Sequence, residues 1–152
     1  MSVTIALELP RQEGVIRLLE LSDIYAQSLY PPESNHLLDL SSLEKPSVSF
    51  LVARNGSPIV GCCALVETGD GTAEIKRMFV DPEARGLKIA SRLMNALEAL
   101  AAERKLVAIQ LETGIYQPEA IALYRKYGYV EIEPFGSYQP DPLSLFMEKR
   151  LA

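Results

Sequence analysis

A loop in the middle of the sequence has the residues expected of a phosphate-binding site. It joins a predicted strand that ends at Val80 to a predicted helix that begins near Ile89, and it contains Arg85, Gly86 and Lys88. The start of a helix exposes unpaired backbone N–H groups at the positive end of the helix dipole, so it favours an anion. The loop therefore predicts a phosphate or pyrophosphate site, to which Arg85 and Lys88 add positive charge.

Two common phosphate-binding motifs are absent from the sequence. There is no G-x-x-x-x-G-K-[ST], so the loop is not that of a P-loop nucleotidase. There is no G-x-G-x-x-G after an early strand, so the dinucleotide-binding fingerprint is missing as well. An ordinary strand-to-helix loop with solvated charges is the alternative to a phosphate site.

The segment 73–90 resembles the acyl-CoA motif of the GNAT superfamily, in which a strand ending in V-D-P leads into R/Q-x-x-G-x-G/A. The matching residues are Arg85, Gly86, Ile89 and Ala90. The segment 117–129 resembles a second motif of that family, N-x-x-A-x-x-L-Y-x-x-x-G-F. The two motifs occur in the family's order and at its usual separation, and the order of predicted elements along the whole chain is also the family's.

Two positions depart from the family pattern. Lys88 stands where the loop usually has a glycine, and Gln117 replaces the usual asparagine, which is a milder change. If the position of Lys88 requires a positive φ, lysine is costly there. If it is simply the first helical turn, lysine is tolerated and its ammonium can reach a phosphate. We expect the second arrangement, because the position lies at the entry to a helix.

The resemblance implies that the cosubstrate is acetyl-CoA. Its pyrophosphate would lie on the backbone amides of residues 85–90, and its pantetheine would run along the strand edge at 78–80 as an added strand does. The residues expected to bind the cofactor are Met78, Phe79, Val80, Arg85, Gly86, Leu87, Lys88, Ile89, Ala90 and Gln117.

Glu74 is the predicted general base. Acetyl transfer needs a neutral amine, whereas a free alkylamine is protonated near neutral pH, so a carboxylate must remove the proton directly or through a water. Glu74 precedes the loop on the same strand, where many GNAT enzymes place such a base. The alternative is a solvated strand carboxylate that faces Lys76 or Arg77.

Tyr124 is the predicted proton donor to the departing CoA thiolate. It matches the tyrosine that has this role in many members of the family, and an ordinary phenol has a pKa near ~10. The alternative is an amphipathic core tyrosine, and we favour the donor because the whole second motif surrounds it. Backbone N–H groups near Phe79 and Val80 would polarise the thioester carbonyl, as in an oxyanion hole.

Other reactive side chains have weaker claims. His36 is the only histidine, in a region that borders the acceptor site in this fold, and we expect it to have no role. Cys62 and Cys63 are adjacent on a predicted strand, so their side chains point to opposite faces and do not pair with each other. We expect them to be buried rather than to carry an acyl group. The turn-rich segment 134–142 either closes over the acceptor or caps the sheet edge.

Hydrophobic periodicity and turn residues give the elements that must position these residues. The predicted strands are 4–9, 47–54, 58–67, 72–80, 107–111, 129–132 and 143–148, and the predicted helices are 13–29, 37–43, 89–104 and 117–127. This order predicts an α/β (α+β) fold with a GNAT-like mixed, mostly antiparallel sheet of about seven strands and about four flanking helices.

The composition fits a globular domain spanning residues 1–152, with 48% hydrophobic and 23% charged residues. The net charge of −5 argues against nucleic acid as a partner, and no apolar run approaches the length of a membrane span. Free cysteines without a recognisable signal peptide predict a cytoplasmic location. No grouping of residues has metal-ligand spacing, so we expect no metal.

The resulting prediction is an N-acetyltransferase that moves an acetyl group from acetyl-CoA to an amine of a small-molecule acceptor by direct transfer in a ternary complex. The alternatives are acetylation of a protein or peptide amine, a catalytically silent acyl-CoA-binding sensor, and an interaction domain that binds no CoA. Members of the family often pair through their sheets or C-terminal strands, so a homodimer is a further expectation.

Overall fold

The computed structural model describes residues 3–84 and 86–151. Its strands are β1 (Val3–Leu7), β2 (Val48–Asn55), β3 (Ile59–Glu67), β4 (Thr72–Val80), β5 (Ala108–Gly114), β6 (Val130–Ile132) and β7 (Ser144–Arg150). Its α-helices are α1 (Glu13–Leu29), α2 (Leu40–Leu43), α3 (Ile89–Glu103) and α4 (Pro118–Lys126). The predicted fold class is confirmed, since the strands form one seven-stranded sheet flanked by these helices.

The strands follow the spatial order β1-β2-β3-β4-β5-β7-β6. Neighbouring strands pair antiparallel except β4 and β5, which are parallel because α3 crosses over between them. The parallel pairing is short: it joins residues 72–75 of β4 to 108–111 of β5 and extends no further. Beyond these residues, β5 still pairs with β7 on its other side, whereas the edge of β4 that faces β5 has no strand partner.

Each face of the sheet has its own apolar core, and the adjacent cysteines of β3 show the division. Cys62 packs with residues of α1 and α2, whereas Cys63 packs with residues of α3 and α4. Both thiols are buried and free, as expected from the alternation of side chains along a strand. Gly61 lets α3 approach the sheet closely, because a Cβ at this position would come within 2.7 Å of the Ile89 side chain.

Some element boundaries differ from the prediction. The second helix is only one turn, Leu40–Leu43, and the Asp39 carboxylate caps it by accepting a hydrogen bond from the Ser42 N–H. Strand β1 ends at Leu7, before the proline expected to close it. Strand β5 continues three residues past the apolar run that defined its predicted end, because residues 112–114 pair with residues 144–146 of β7. This extension matters for the site, since it places Glu112 on a strand.

Two negative findings apply to the described part of the chain. None of its helices is both long and apolar enough to cross a membrane. Residues 3–84 and 86–151 also contain no group of three or more His, Cys, Asp or Glu side chains that could hold a metal ion.

The C-terminal end of α3 gives a prediction about stability. Lys105 has a φ of 59°, and the Lys105 and Leu106 N–H groups donate to the Ala102 and Ala101 carbonyls, which is the Schellman arrangement that favours glycine. Lys105→Gly relieves the left-handed strain and should raise the free energy of unfolding by about 0.5–1 kcal/mol. Thermal and urea unfolding measure this change.

A matched control for that substitution is Ala99→Gly, at an exposed position inside the same helix. Glycine is unfavourable in a helix interior, so this variant should lose about 0.5–1 kcal/mol. A Tm for Lys105→Gly below that of the wild-type protein would contradict the strain assigned to Lys105.

Candidate active site

A cleft of about 590 Å³ opens where β4 and β5 stop pairing. Residues 75–80 of β4 form one wall, and residues 112–114 of β5 with the first turns of α4 form the opposite wall. Residues of α1 and the segment 34–37 cover the cleft from one face of the sheet. The cleft therefore runs through the sheet, between its two cores.

A β-bulge in β4 shapes the first wall. Arg77 and Met78 together lie opposite Cys63, so β4 has one more residue here than β3, and Arg77 has a φ of 55°. The Cys62 thiol lies 3.5 Å from the Arg77 carbonyl, to which it donates. Burial raises the pKa of Cys62 to about 12, so the thiol keeps the proton that this contact needs.

The phosphate-loop residues lie at the start of α3, as the motif predicts. Gly86, Leu87 and Lys88 are exposed, and no acidic residue lies in the first helical turn. The expectation for Lys88 was wrong: it is the N-cap residue, outside the helix, with φ 56° and ψ 39°. This is the left-handed conformation that favours the family's usual glycine, so lysine is strained here. Arg85 lies outside the described residues.

The other predicted cofactor residues divide into two groups. Met78, Phe79, Val80, Ala90 and Gln117 all line the cleft. The Ile89 side chain is instead buried in the core beneath α3, so only its backbone is available to a ligand.

Tyr124 lines the cleft from α4 and is otherwise buried. Its ring packs against Tyr129, with 5.9 Å between the ring centroids, on the side of the sheet that α3 covers. Burial is the main reason that its pKa is raised, and the nearby Cys63 and Glu112 raise it further. The phenol therefore stays protonated and is available as a hydrogen-bond donor.

Glu74 lies in a separate groove, away from the cleft that Tyr124 lines. It is on the part of β4 that still pairs with β5, opposite Gln110, and it is only 14% exposed. Its Oε2 accepts a hydrogen bond of 2.6 Å from the Tyr138 hydroxyl and lies 3.5 Å from the Lys76 ammonium. Lys76 also donates to the Tyr138 hydroxyl. The carboxylate thus faces Lys76, as the alternative interpretation expects, but it is largely buried rather than solvated.

Glu112 is the carboxylate that lines the same cleft as Tyr124. Its Oε2 accepts a hydrogen bond of 2.8 Å from the Ser144 hydroxyl, and its Oε1 has no protein partner within the described chain. Burial raises the pKa of Glu112, a shift that Ser144 and the charges of His36 and Lys76 oppose. Sequence reasoning missed this residue because the apolar run of β5 appeared to end at Leu111.

Tyr30 closes one end of the cleft. Its hydroxyl accepts a hydrogen bond of 3.0 Å from the Tyr116 N–H and lies 3.4 Å from the Gln117 side-chain oxygen. Gly114 makes room for it, because a Cβ there would come within 1.8 Å of the hydroxyl. Gln117 at the start of α4 therefore contacts the residue that follows α1, a contact that the sequence pattern did not reveal.

The segment 134–142 packs over the groove that contains Glu74. Tyr138 contacts His36 edge-to-face at 5.2 Å and also packs against Phe146, while the Ser34 hydroxyl donates to Asp141 at 2.7 Å. His36 lines both the cleft and this groove. The histidine expected to have no role is thus part of the wall between the two openings.

Comparisons with known proteins identify the family. The Acetyltransferase (GNAT) family model matches residues 15–129. An IAA acetyltransferase of Azospirillum brasilense is 54% identical over 151 residues, which covers 99% of each chain. A crystal structure described as an acyl-CoA N-acyltransferase of Klebsiella pneumoniae is 40% identical, covers 99% of this chain and 98% of its own, and has a TM-score of 0.86.

A structure of a Thermoplasma acidophilum N-acetyltransferase in complex with coenzyme A has the same fold, with a TM-score of 0.76. It is 19% identical and covers 99% of this chain and all of its own. The chain belongs to the GNAT family and is an acyl-CoA N-acyltransferase of that type. The family resemblance predicted from the two motifs is therefore confirmed.

Glu112 gives a testable dependence of stability on pH. Because its pKa is raised in the folded protein, the stability it contributes is complete below its ordinary pKa of about 4.3 and is lost as the pH rises through the folded value. Glu112→Gln removes this loss and keeps an oxygen for Ser144. Its Tm should exceed that of the wild-type protein at pH 7, by a margin that shrinks towards pH 4.

Thermal unfolding at several pH values checks this dependence, with Glu131→Gln on an exposed position of β6 as the control. The control should stay within about 0.5 kcal/mol of the wild-type protein at each pH. If the Tm of Glu112→Gln minus that of the wild-type protein is smaller at pH 7 than at pH 4, burial does not disfavour the Glu112 carboxylate.

Proposed function

We propose that the enzyme transfers the acetyl group of acetyl-CoA to a primary amine of a small molecule, by direct attack in a ternary complex. The observation that carries this proposal is the placement of Glu112 and Tyr124 in one cleft, on opposite faces of the sheet. Glu112 alternates with Leu111, which is buried in the core under α3, so its side chain turns to the other face, which α1 covers. A base and a hydrogen-bond donor on opposite faces of the sheet suit an amine and a thioester that approach each other from those two faces.

Acetyl-CoA is assigned to the side of α3 and α4. The exposed start of α3 provides free N–H groups for the pyrophosphate, and Lys88 stands beside them. Beyond residue 75, the backbone N–H and C=O groups of β4 that point towards β5 have no strand partner. The pantetheine amides would bond to these groups, and a free N–H near Val80 would polarise the thioester carbonyl.

Glu112 is proposed as the base in preference to Glu74. Its raised pKa brings a carboxylate closer to the operating pH, which improves proton abstraction. Its free Oε1 accepts the proton of the ammonium form, directly or through a water, and the neutral nitrogen then attacks the thioester carbon. Glu74 keeps the role of a buried ion-pair partner, because Tyr138 and Lys76 both contact its Oε2 and because it lies outside the cleft that Tyr124 lines.

Tyr124 is proposed to stabilise the departing sulfur. The C–S bond breaks as the tetrahedral intermediate collapses, and the electron pair goes to the CoA thiolate. A thiol has an ordinary pKa near ~8.5, below that of a buried phenol, so the phenol donates a hydrogen bond rather than its proton. The attacking nitrogen loses its second proton as the amide forms, and the thiolate takes up a proton from solvent.

A small acceptor fits the partly covered acceptor side of the cleft. Residues of α1, the segment 34–37 and β5 surround it, and the cleft volume includes the space for the acyl end of the cofactor. The name of the Azospirillum relative includes IAA as an acceptor, and that relative matches this chain over nearly its full length. Both points favour a free small molecule over a folded protein.

Base assignment can be tested by kinetics. Acetyl-CoA is supplied with tyramine, putrescine, L-phenylalanine or a glycyl dipeptide, and thiol release identifies the amines that are used. Glu112→Gln should lower kcat about 10²–10⁴-fold, because general-base catalysis contributes that much. Glu74→Gln should lower kcat less than about tenfold. The kcat/KM of the wild-type enzyme should decrease as the pH is lowered through the raised pKa of Glu112, because the protonated carboxyl cannot act as a base.

Two outcomes would contradict the assignment. A greater loss of kcat in Glu74→Gln than in Glu112→Gln would return the base to β4. Absence of thiol release with every amine, despite binding of acetyl-CoA, would favour the silent sensor. Calorimetry with CoA on each variant shows that the cofactor site is intact, since neither carboxylate is assigned to it.

Cofactor binding depends on the start of α3, and Lys88 tests it. Lys88→Glu places a negative charge beside the pyrophosphate and should weaken acetyl-CoA binding at least about tenfold, measured by calorimetry at low salt. Lys88→Gly removes the charge but also the strain of the left-handed conformation. Its affinity for acetyl-CoA should fall only about threefold, and its Tm should rise. Equal affinities in all three proteins would place the phosphates elsewhere.

A further inference from the structure

Arg77 is a buried cation that the acetyl-transfer steps do not use. Its side chain is 5% exposed, although arginine is almost never fully buried unless it is paired. It also occupies the left-handed conformation at the bulge, where glycine is the usual residue. A strained backbone together with a buried charge indicates that the side chain is needed at this position.

The guanidinium of Arg77 contacts three residues in two elements beside the cleft. Its Nε donates to the Leu38 carbonyl at 2.8 Å, its Nη1 donates to the Asp23 carboxylate at 2.7 Å, and Nη1 also lies 3.5 Å from the Ser22 hydroxyl. Ser22 and Asp23 belong to α1, whereas Leu38 belongs to the segment before α2. Arg77 therefore ties both of these elements to the strand that forms the cleft.

The bulge makes this arrangement possible. On a regular strand, adjacent side chains point to opposite faces, but the extra residue lets Lys76 and Arg77 turn to the same face. The Lys76 ammonium donates to the His36 carbonyl at 2.7 Å, two residues before the carbonyl that Arg77 holds. The segment 36–38 is thus fixed to β4 at both ends by consecutive cationic side chains.

A second ion pair attaches α1 to the end of β4 at a different point. Arg17 of α1 donates to Asp81 at 2.7 Å. In this pair the carboxylate is the buried partner, whereas in the Arg77 pair the arginine is buried and Asp23 is 39% exposed. This pair lies towards the start of α1, whereas Ser22, Tyr25 and Tyr30, which line the cleft, lie nearer the position that Arg77 holds. The Arg77 pair is therefore the one that lies beside the cleft-lining part of α1.

We propose that Arg77 is a positioning residue that sets the spacing between β4 and the acceptor wall, which we define as residues 22–29 of α1, its C-cap Tyr30 and the segment 34–38. Its planar fork reaches a carboxylate and a carbonyl at once, which a lysine cannot do in the same geometry. The proposal goes beyond the acetyl-transfer chemistry, because the spacing exists without any substrate. Its kinetic consequence rests on the proposed function.

The test compares Arg77→Gly, Arg77→Lys and Asp23→Asn with the wild-type enzyme. Glycine suits the positive φ, so Arg77→Gly removes the side chain without straining the backbone. Hydrogen–deuterium exchange in residues 22–29 and 35–38 should accelerate at least about tenfold in Arg77→Gly and less in the other two variants. Acetyl-CoA affinity by calorimetry should stay within about threefold, because α3 and its loop are untouched.

Steady-state kinetics use tyramine or putrescine, whichever amine the wild-type enzyme acetylates. The amine KM should rise at least about tenfold in Arg77→Gly, with a smaller rise in Arg77→Lys and Asp23→Asn, since a misplaced wall weakens acceptor orientation. The control is Arg104→Gln, which removes an ion pair with Glu67 that lies outside the cleft, and it should change neither KM nor exchange.

Three results would overturn the proposal. One is unchanged exchange in residues 35–38 of folded Arg77→Gly. Another is a loss of acetyl-CoA affinity by the same factor as the rise in amine KM, which indicates that the whole structure has loosened. The third is full recovery of both readouts in Arg77→Lys, which indicates that charge alone matters. If the wild-type enzyme acetylates neither amine, that failure bears on the proposed function alone, and the exchange experiment still decides the role of Arg77.

Discussion

Beyond Ile75 and Leu111 the parallel strands β4 and β5 exchange no hydrogen bonds, and every other part of the site depends on this gap. Backbone N–H and C=O groups that lose a strand partner must bond to water or to a ligand, because leaving them buried and unpaired costs free energy. A ligand with amides along its length satisfies these groups as an added strand would. The same gap gives access from both faces of the sheet, so a donor and an acceptor can meet within it.

Backbone strain is concentrated around that gap. Among the described residues, positive φ values outside glycine occur at Arg77, Lys88 and Lys105. Lys105 ends a helix, where a left-handed residue is common. The other two lie at the bulge of β4 and at the start of α3, and both carry a cationic side chain where glycine would be easier. Each therefore keeps a cationic side chain at a cost in backbone strain, and such a cost points to a role for that side chain at the site.

The sequence predicted the elements well because their signals are local. Apolar periodicity and turn residues depend on neighbours a few positions away, and the strands and long helices are confirmed to within a few residues. The bulge at Arg77 depends instead on register with β3, and the interactions of Glu74 depend on Tyr138, which is 64 positions away in the chain. Glu112 was missed for the same reason, because its strand is defined by pairing with β7 rather than by its own apolar run.

The two cysteines bear on how the acetyl group travels. An acyl-enzyme route would need a nucleophile in the cleft, and a cysteine acts as its thiolate. Cys62 and Cys63 are both fully buried. Burial raises the pKa of Cys62 to about 12, and it also raises the pKa of Cys63. Each thiol lies in a different apolar core, and neither lines the cleft that holds Glu112 and Tyr124. Without an activated thiol at the gap, the proposed direct attack of the amine is the route that the arrangement of the described side chains favours.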